Sequence, residues 1–499
     1  MDSLQPRPLR ADLLWLSAFA SLILVIHFVM GNGYGYHRDE LQFLDDARHL
    51  DWGFVAYPPL TSFLARISIT LFGISPEALR LPSALINAAT LVLIGLTARE
   101  LGARRAAQLL TVLLVFPLAL TFSTVLQYTT TDCFAWSITI FFTTRLLRTA
   151  DGRNWIGVGV GIGIGVLSKY SIAFPLASLL AALVLMPSQR HHLRSRWFWY
   201  GALAATILSA PNLLWLTTHH FITVQMEHFI HARDIRQGRA DHFYTDQLKF
   251  TLFALPLNVA GLIWLLRSTR FRLLTCFYLG PLLILILLKG LGYYLMPAYP
   301  VLGAAGVVAL QDFLQNRSAW LRIPVAAVVV LALLVNAAAA TWAYMPIFPV
   351  HSAGWNWQMA NNPDMADEIG WPEFVAQVAG VRDTLPPEDR ARLAVLAHNY
   401  GEAGALALYG PQYGLPTPIS STNSFFYRGY GPYEPETVIV TGSSLSDQLA
   451  NFQTCVIAAR LHIPYGVRNE ESRYHQDILV CHHMREPWPR RWARSLAFG

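Results

Sequence analysis

LLWLSAFASLILVIHFVMG, residues 13–31, is followed four residues later by YHRDELQFLDDARHLDWGFVAYPPL, residues 36–60. The first run carries no Asp, Glu, Lys or Arg and is long enough to cross a bilayer, which takes roughly 20 apolar residues. It has no convincing cleavage site and reads as an anchor. The second run sets His37, Arg38, Asp39 and Glu40 just past that anchor, then Asp45, Asp46 and a Tyr57-Pro58-Pro59 corner. Such a stretch is either a wet loop between spans or the floor of a site.

Composition speaks for a membrane. Of 499 residues, 54% are hydrophobic and only 14% charged, with a mean hydropathy of +0.37. Soluble proteins carry about a quarter charged residues. Net charge is +6, but only Lys169, Lys249 and Lys289 are lysines, so 34 of the 37 bases are arginine. They fall mainly between hydrophobic runs, a distribution that argues against nucleic-acid binding. Eleven spans are expected near 13–31, 80–98, 106–123, 132–147, 155–168, 170–187, 198–216, 248–266, 273–289, 293–312 and 323–345. The pair around Lys169 could equally be one re-entrant segment. Alternate connections carry Arg7 and Arg10; Arg99, Arg104 and Arg105; Arg145, Arg148 and Arg153; Arg190, Arg194 and Arg196; Arg267, Arg270 and Arg272; Arg317 and Arg322. The positive-inside rule puts these in the cytoplasm, which leaves the N-terminus inside and the tail after residue 345 outside.

That topology pools the unusual residues on the outer face: His37 to Glu40, the QYTTTD turn ending at Asp132, Lys169, the loop 217–247, and the turn from Lys289 to Tyr294. Each has a plainer reading. Asp39 and Glu40 suit the first turn of a helix, where acids meet free N–H groups and the dipole. Asp132 could cap the fourth span, and Lys169 and Lys289 could snorkel at a boundary. The glycines at 157, 159, 161, 163 and 165 before Ser168-Lys169 miss phosphate-loop spacing and read as close helix packing. The histidines of 217–247 fit no metal signature, so no metal site is expected.

The combination resembles the polyprenyl-phosphate-dependent GT-C glycosyltransferases, and within them the branch of the protein O-mannosyltransferases, aminoarabinose transferases and RgtA/B/C/D-like enzymes. The resemblance rests on H-R-D-E and L-D-W-G-x-x-x-Y-P-P-L in the first loop, S-T-V-L-Q-Y-T-T-T-D ending at Asp132, and L-S-K-Y-S around Lys169. Y-Y-L-M-P-A-Y-P (293–300) and N-Y-G-E-A-G-A-L-A-L-Y-G (399–410) complete it. It implies a sugar donor on a polyprenyl phosphate, a reaction centre at Asp39 and Glu40, and a base shortly before the Tyr293-Tyr294 pair. Here Lys289 stands there, with Gly290-Leu291-Gly292 between.

The chemistry fits these residue types. A phosphate leaving group needs its charge met by Arg or Lys rather than a proton, and a weak hydroxyl nucleophile gains from a carboxylate base. One base opposite a bound phosphate gives inversion. Asp39 is expected to be that base, with Glu40 positioning acceptor or sugar. Arg38, Tyr57, Asp132, Lys169, Lys289, Tyr293 and Arg236 are expected to bind substrate. No cofactor is required, and a divalent cation is left open.

Two units follow: a membrane-spanning transferase unit over 1–345, with its catalytic first loop at 32–79 bearing short interfacial helices, and an extracytoplasmic α/β domain over 346–499. In the latter, WPEFVAQV and SLSDQLANF read as helices, and RLAVLAHN and TVIVTG as strands. Cys455 and Cys481 sit in its last apolar runs, either as a disulfide or as two buried thiols. The expected protein is a single-sugar hexosyl- or pentosyltransferase of a bacterial inner membrane, acting on an envelope glycan, lipid or protein hydroxyl. A lipid-linked glycan ligase or polymerase, and less readily a flippase, are the alternatives.

Overall fold

The computed structural model describes residues 9–30, 32–121, 124–474 and 476–499. Arg7, Gly31 and Ser123, used above, lie outside these. Fifteen helices lead the described chain: α1 Leu9–Met30, α2 Arg38–Arg48, α3 Leu60–Phe72, α4 Pro76–Leu101, α5 Arg105–Thr121, α6 Tyr128–Thr149, α7 Asn154–Ser168, α8 Ala173–Leu185, α9 Arg196–Thr218, α10 Ile222–Arg236, α11 Phe243–Thr251, α12 Leu255–Arg267, α13 Cys276–Leu287, α14 Tyr299–Gln315 and α15 Ala319–Tyr344. Their ends follow local chemistry. The Ser75 hydroxyl accepts from the Ala78 N–H at 3.1 Å to start α4, Pro76 sits in its first turn, and Gly102 ends it at φ 109° in a left-handed cap that costs glycine little.

The protein is a multi-pass membrane protein, but the expected span 248–266 is divided between α11 and α12, and the spans are less uniform than eleven equal crossings. Among the described residues, four helical stretches are long and apolar enough alone: Leu9–Met30, Pro76–Leu101, Gly292–Gln315 and Ala319–Tyr344. Two further pairs qualify only together and are bent, Tyr170–Leu185 with Pro187–Arg194 by 108° and Arg239–Thr251 with Leu255–Arg267 by 97°. Several of the remaining apolar helices are shorter than a bilayer. Residues 155–187 are two helices, parted where Lys169 takes an extended backbone at φ −160°, ψ 134°. The odd-numbered glycines of α7 are packing residues, as expected. A Cβ on Gly159 would lie 1.9 Å from the Gly201 carbonyl oxygen on α9, a crossing no larger residue permits.

The tail after α15 adds α16 Ala353–Asn361, α17 Trp371–Thr384, α18 Pro387–Ala391, β1 Leu393–Ala397, α19 Tyr400–Tyr409, β2 Thr437–Thr441, α20 Leu445–Asn451, β3 Phe452–Arg460 and β4 Asp477–Met484. The sheet order is β1-β2-β4-β3, with β1 parallel to β2 and the other pairs antiparallel. Cys455 and Cys481 face each other across β3 and β4 and are joined by a disulfide.

The first loop does not fold by itself. Leu41, Phe43 and Leu44 of α2 share one core with Trp371, Phe374, Val395 and Leu406 of the tail. Arg428 of the tail pairs with both Asp45 and Asp46, and the Tyr57 hydroxyl also donates to Asp46. The second acidic pair of the opening stretch is therefore a fastening between loop and tail.

Candidate active site

Helix α2 begins where the sequence places its acids, but they divide the labour. The His37 ring accepts from the Asp39 N–H at 3.2 Å, and Glu40 Oε2 accepts from the His37 N–H at 2.9 Å, a reciprocal cap made with histidine. Glu40 is fully buried. It also takes the Leu126 N–H at 2.8 Å and two hydrogen bonds from Arg80. It has no face toward a substrate. The expectation that Glu40 positions acceptor or sugar is corrected: it secures the start of α2.

Asp39 is the carboxylate left free of the cap. It lines a cavity of about 620 Å³ together with His37, Arg38, Tyr57, Tyr128, Glu227, Arg233, Arg239, Tyr293, Tyr294, Asp367, Tyr400 and Arg473, among others. A second cavity of about 230 Å³, bounded by Thr121, Thr124, Gln127, Tyr344, Asn362 and Met365, shares His37, Asp39 and Asp364 with the first. Asp39 thus stands in the wall between two hollows. Burial pushes its pKa up, but His37, Arg38 and hydrogen bonds from Gln127 and Tyr400 outweigh that and hold it below the usual value of 3.8.

The other expected residues separate by position. Arg38 lines the large cavity, pairs with Glu470 and lies 4.6 Å from the centre of the Tyr400 ring. Tyr57 and Tyr293 line it too. Lys169 is buried, with its ammonium 5.2, 4.8 and 4.1 Å from the ring centres of Tyr128, Tyr293 and Tyr294. Three π faces stabilise a cation without neutralising it. Asp132 lies outside both cavity linings, buried, and accepts from the Ser171 hydroxyl at 2.9 Å. Arg236 is exposed. The face of α10 that meets the cavity runs through Met226, Glu227, Ile230, Arg233, Asp234 and Gln237, a helical stripe that skips Arg236. Lys289 is also exposed, turned out by its positive φ of 51° after α13.

Sequence reasoning missed Gln127, Tyr400, Arg233 and Arg239 as individuals, although the first two lie inside motifs it singled out and the arginines flank Arg236, which it named. Among the described residues no group of three or more His, Cys, Asp or Glu side chains is arranged to hold a metal ion.

Residues 56–215 match the family described as dolichyl-phosphate-mannose-protein mannosyltransferase. Over nearly the whole chain, the fold is similar to ArnT from Cupriavidus metallidurans bound to undecaprenyl phosphate, with a TM-score of 0.58, 16% identity, and coverage of 93% of this chain and 97% of that one. The fold is ArnT-like. The apo form of the same ArnT aligns with a TM-score of 0.56 at 14% identity, covering 94% and 98%. The Archaeoglobus fulgidus oligosaccharyltransferase tethered with an acceptor peptide aligns at 0.52 and 14% identity, covering 81% of this chain and 64% of that chain. At such identities the likeness concerns the fold. No curated protein sequence matches. The matched segment includes Tyr57, Asp132 and Lys169 but begins after Asp39, so the role of Asp39 rests on geometry.

Proposed function

We propose that the protein is a GT-C glycosyltransferase that moves a single sugar from a polyprenyl phosphate to an acceptor hydroxyl with inversion, using Asp39 as general base. The observation that carries this reading is the position of an ionised Asp39 between two cavities. The larger, bordered by Arg233, Arg239, Arg473 and the tyrosines around Lys169, suits a lipid phosphate. The smaller, at the ends of α5 and α15, suits the acceptor. As the acceptor oxygen bonds to the anomeric carbon, its proton passes to Asp39, and the carbon–oxygen bond to phosphate breaks toward the cations. Polyprenyl phosphate leaves as an anion, so no acid is required.

The disulfide supports placing the tail outside the cytoplasm, because such bonds persist in oxidising compartments. That orientation, in a bacterial inner membrane with an envelope glycan, lipid or protein as acceptor, completes the reading. The test is transfer from synthetic undecaprenyl-phosphate monosaccharides, a hexose and pentose panel, to isolated envelope fractions. A single labelled residue at the opposite anomeric configuration is expected. Transfer of preassembled chains but not of monosaccharides would overturn it in favour of a ligase.

A further inference from the structure

Asp39 needs no help to sit in its helix, since the cap of α2 is made by His37 and Glu40. Yet both its oxygens are held. Gln127 Nε2 donates to Oδ2 at 2.8 Å and the Tyr400 hydroxyl donates to Oδ1 at 2.8 Å. The donors come from separate parts of the fold, Gln127 from the residue preceding α6 and Tyr400 from the first turn of α19 in the tail.

The structure spends several features on placing Tyr400. Asn399 Oδ1 accepts from the Glu402 N–H at 2.8 Å and starts α19. Gly404 lets α19 lie against α2, where a Cβ would come within 2.6 Å of the Leu41 carbonyl oxygen. Arg38 stacks on the Tyr400 ring.

We propose that Gln127 and Tyr400 are positioning residues that fix the plane of the Asp39 carboxylate toward the acceptor hydroxyl; this rests on Asp39 being the base. Two neutral donors suit that task. A carboxylate offers about four lone-pair sites, so each oxygen keeps a site for the incoming proton, and neutral donors add no positive charge to oppose proton uptake as a bidentate arginine would. The charged and titratable groups around Asp39 are His37 and Arg38 on its own helix, Tyr400 from α19, Asp367 from the tail and Tyr128 from α6. Taking away one hydrogen bond to the ionised form raises its pKa.

The experiment compares full-length wild type, Tyr400→Phe, Gln127→Met, Asp39→Asn and the Tyr400→Phe/Asp39→Asn double variant. The probe is the tritiated undecaprenyl-phosphate monosaccharide that wild type turns over, and undecaprenyl phosphate alone reports binding. Tyr400→Phe keeps the ring and its stack on Arg38. It is expected to lower kcat about 10- to 100-fold, the cost of a misaligned reacting group, with undecaprenyl phosphate binding unchanged. The acid limb of kcat/KM is expected to move to higher pH. The double variant is expected to be no slower than Asp39→Asn, since the hydroxyl acts only through that carboxylate. Losses that multiply in the double variant, or a kcat within about twofold of wild type for Tyr400→Phe, would overturn the proposal. Gln127→Met decides by the same kcat and pH criteria if the tail of Tyr400→Phe fails to fold. Near-normal turnover by Asp39→Asn alone would instead remove the base reading beneath it.

Discussion

Arg80, at the start of α4, donates from Nε and Nη2 to the two carboxylate oxygens of Glu40, at 2.9 and 2.7 Å. Neither side chain is more than 1% exposed. The same guanidinium donates to the Gly35 carbonyl at 2.7 Å and to Glu368 of the tail at 3.4 Å, so one side chain joins a membrane helix, the first loop and the tail. Removing one partner of a buried pair leaves an uncompensated charge and costs about 3–5 kcal/mol. Arg80→Met should lower the melting temperature of the detergent-solubilised protein and weaken turnover through α2. A melting curve that overlays wild type would show that this pair does not hold the loop.

Asp39→Asn keeps size and an acceptor for one of the two donors, Gln127 or Tyr400, but cannot accept a proton. Turnover should fall by about 10²–10⁴, the usual worth of a general base, with donor binding retained. Because the Asp39 carboxyl is held below its ordinary value, it stays ionised as pH falls, and the acid limb of kcat/KM in wild type should lie below the usual carboxylate range. A purely helix-capping role predicts near-normal rates instead, since Asn caps as well as Asp.

These two carboxylates show how far the sequence could be read. Hydropathy made the helices legible, because a bilayer enforces apolar, internally hydrogen-bonded spans. Alternating apolar runs made β1, α19, β2 and α20 legible for the same kind of reason. What adjacency in sequence could not reveal is that Asp39 and Glu40, one step apart on a helix, point about 100° from each other. One faces a cavity and the other Arg80. Arg236 failed likewise, since only the packing of α10 selects which stripe meets the cavity. Tyr400 became part of the site through a contact spanning 361 residues, for which no local pattern exists.

Lys169 sits among three tyrosine rings, with Asp132 and Glu227 also within reach of its charge, and in the proposed reaction it meets the donor phosphate. Lys169→Met preserves length and packing while deleting the charge. It should weaken undecaprenyl phosphate binding by about 10-fold or more, the worth of one charge-assisted hydrogen bond, with membrane insertion unchanged. Unaltered affinity in a binding titration would return Lys169 to a boundary role.

Glu402 offers a pH test of the tail. It is buried, accepts from the Thr441 hydroxyl at 2.9 Å, and burial, with Glu471 nearby, pushes its pKa from 4.5 to about 8. The folded state therefore binds a proton that the unfolded state releases between these values. Its contribution to stability is full below 4.5 and declines as pH rises toward 8. Glu402→Gln should flatten that decline in thermal melts taken at pH 6 and pH 8. An unchanged slope would show that the carboxyl is already ionised in the fold.

Orientation is tested by reporter fusions. Fusions after Arg104 and Arg194 should report cytoplasm, and fusions after Tyr244 and Tyr409 the opposite side. A cytoplasmic signal from Tyr409 would separate the tail from the compartment proposed for the reaction.

The core shared by α2 and the tail bears on biosynthesis. Helix α2 leaves the ribosome among the first segments, but the core that holds Phe43 and Leu44 is incomplete until Trp371, Phe374 and Val395 have been made, and the Tyr400 hydroxyl that meets Asp39 arrives later still. Contacts this distant in sequence form late. A nascent or prematurely terminated chain can therefore lodge in the bilayer with Asp39 still lacking its partner from the tail, and the setting of that carboxylate becomes the last property the growing polypeptide acquires.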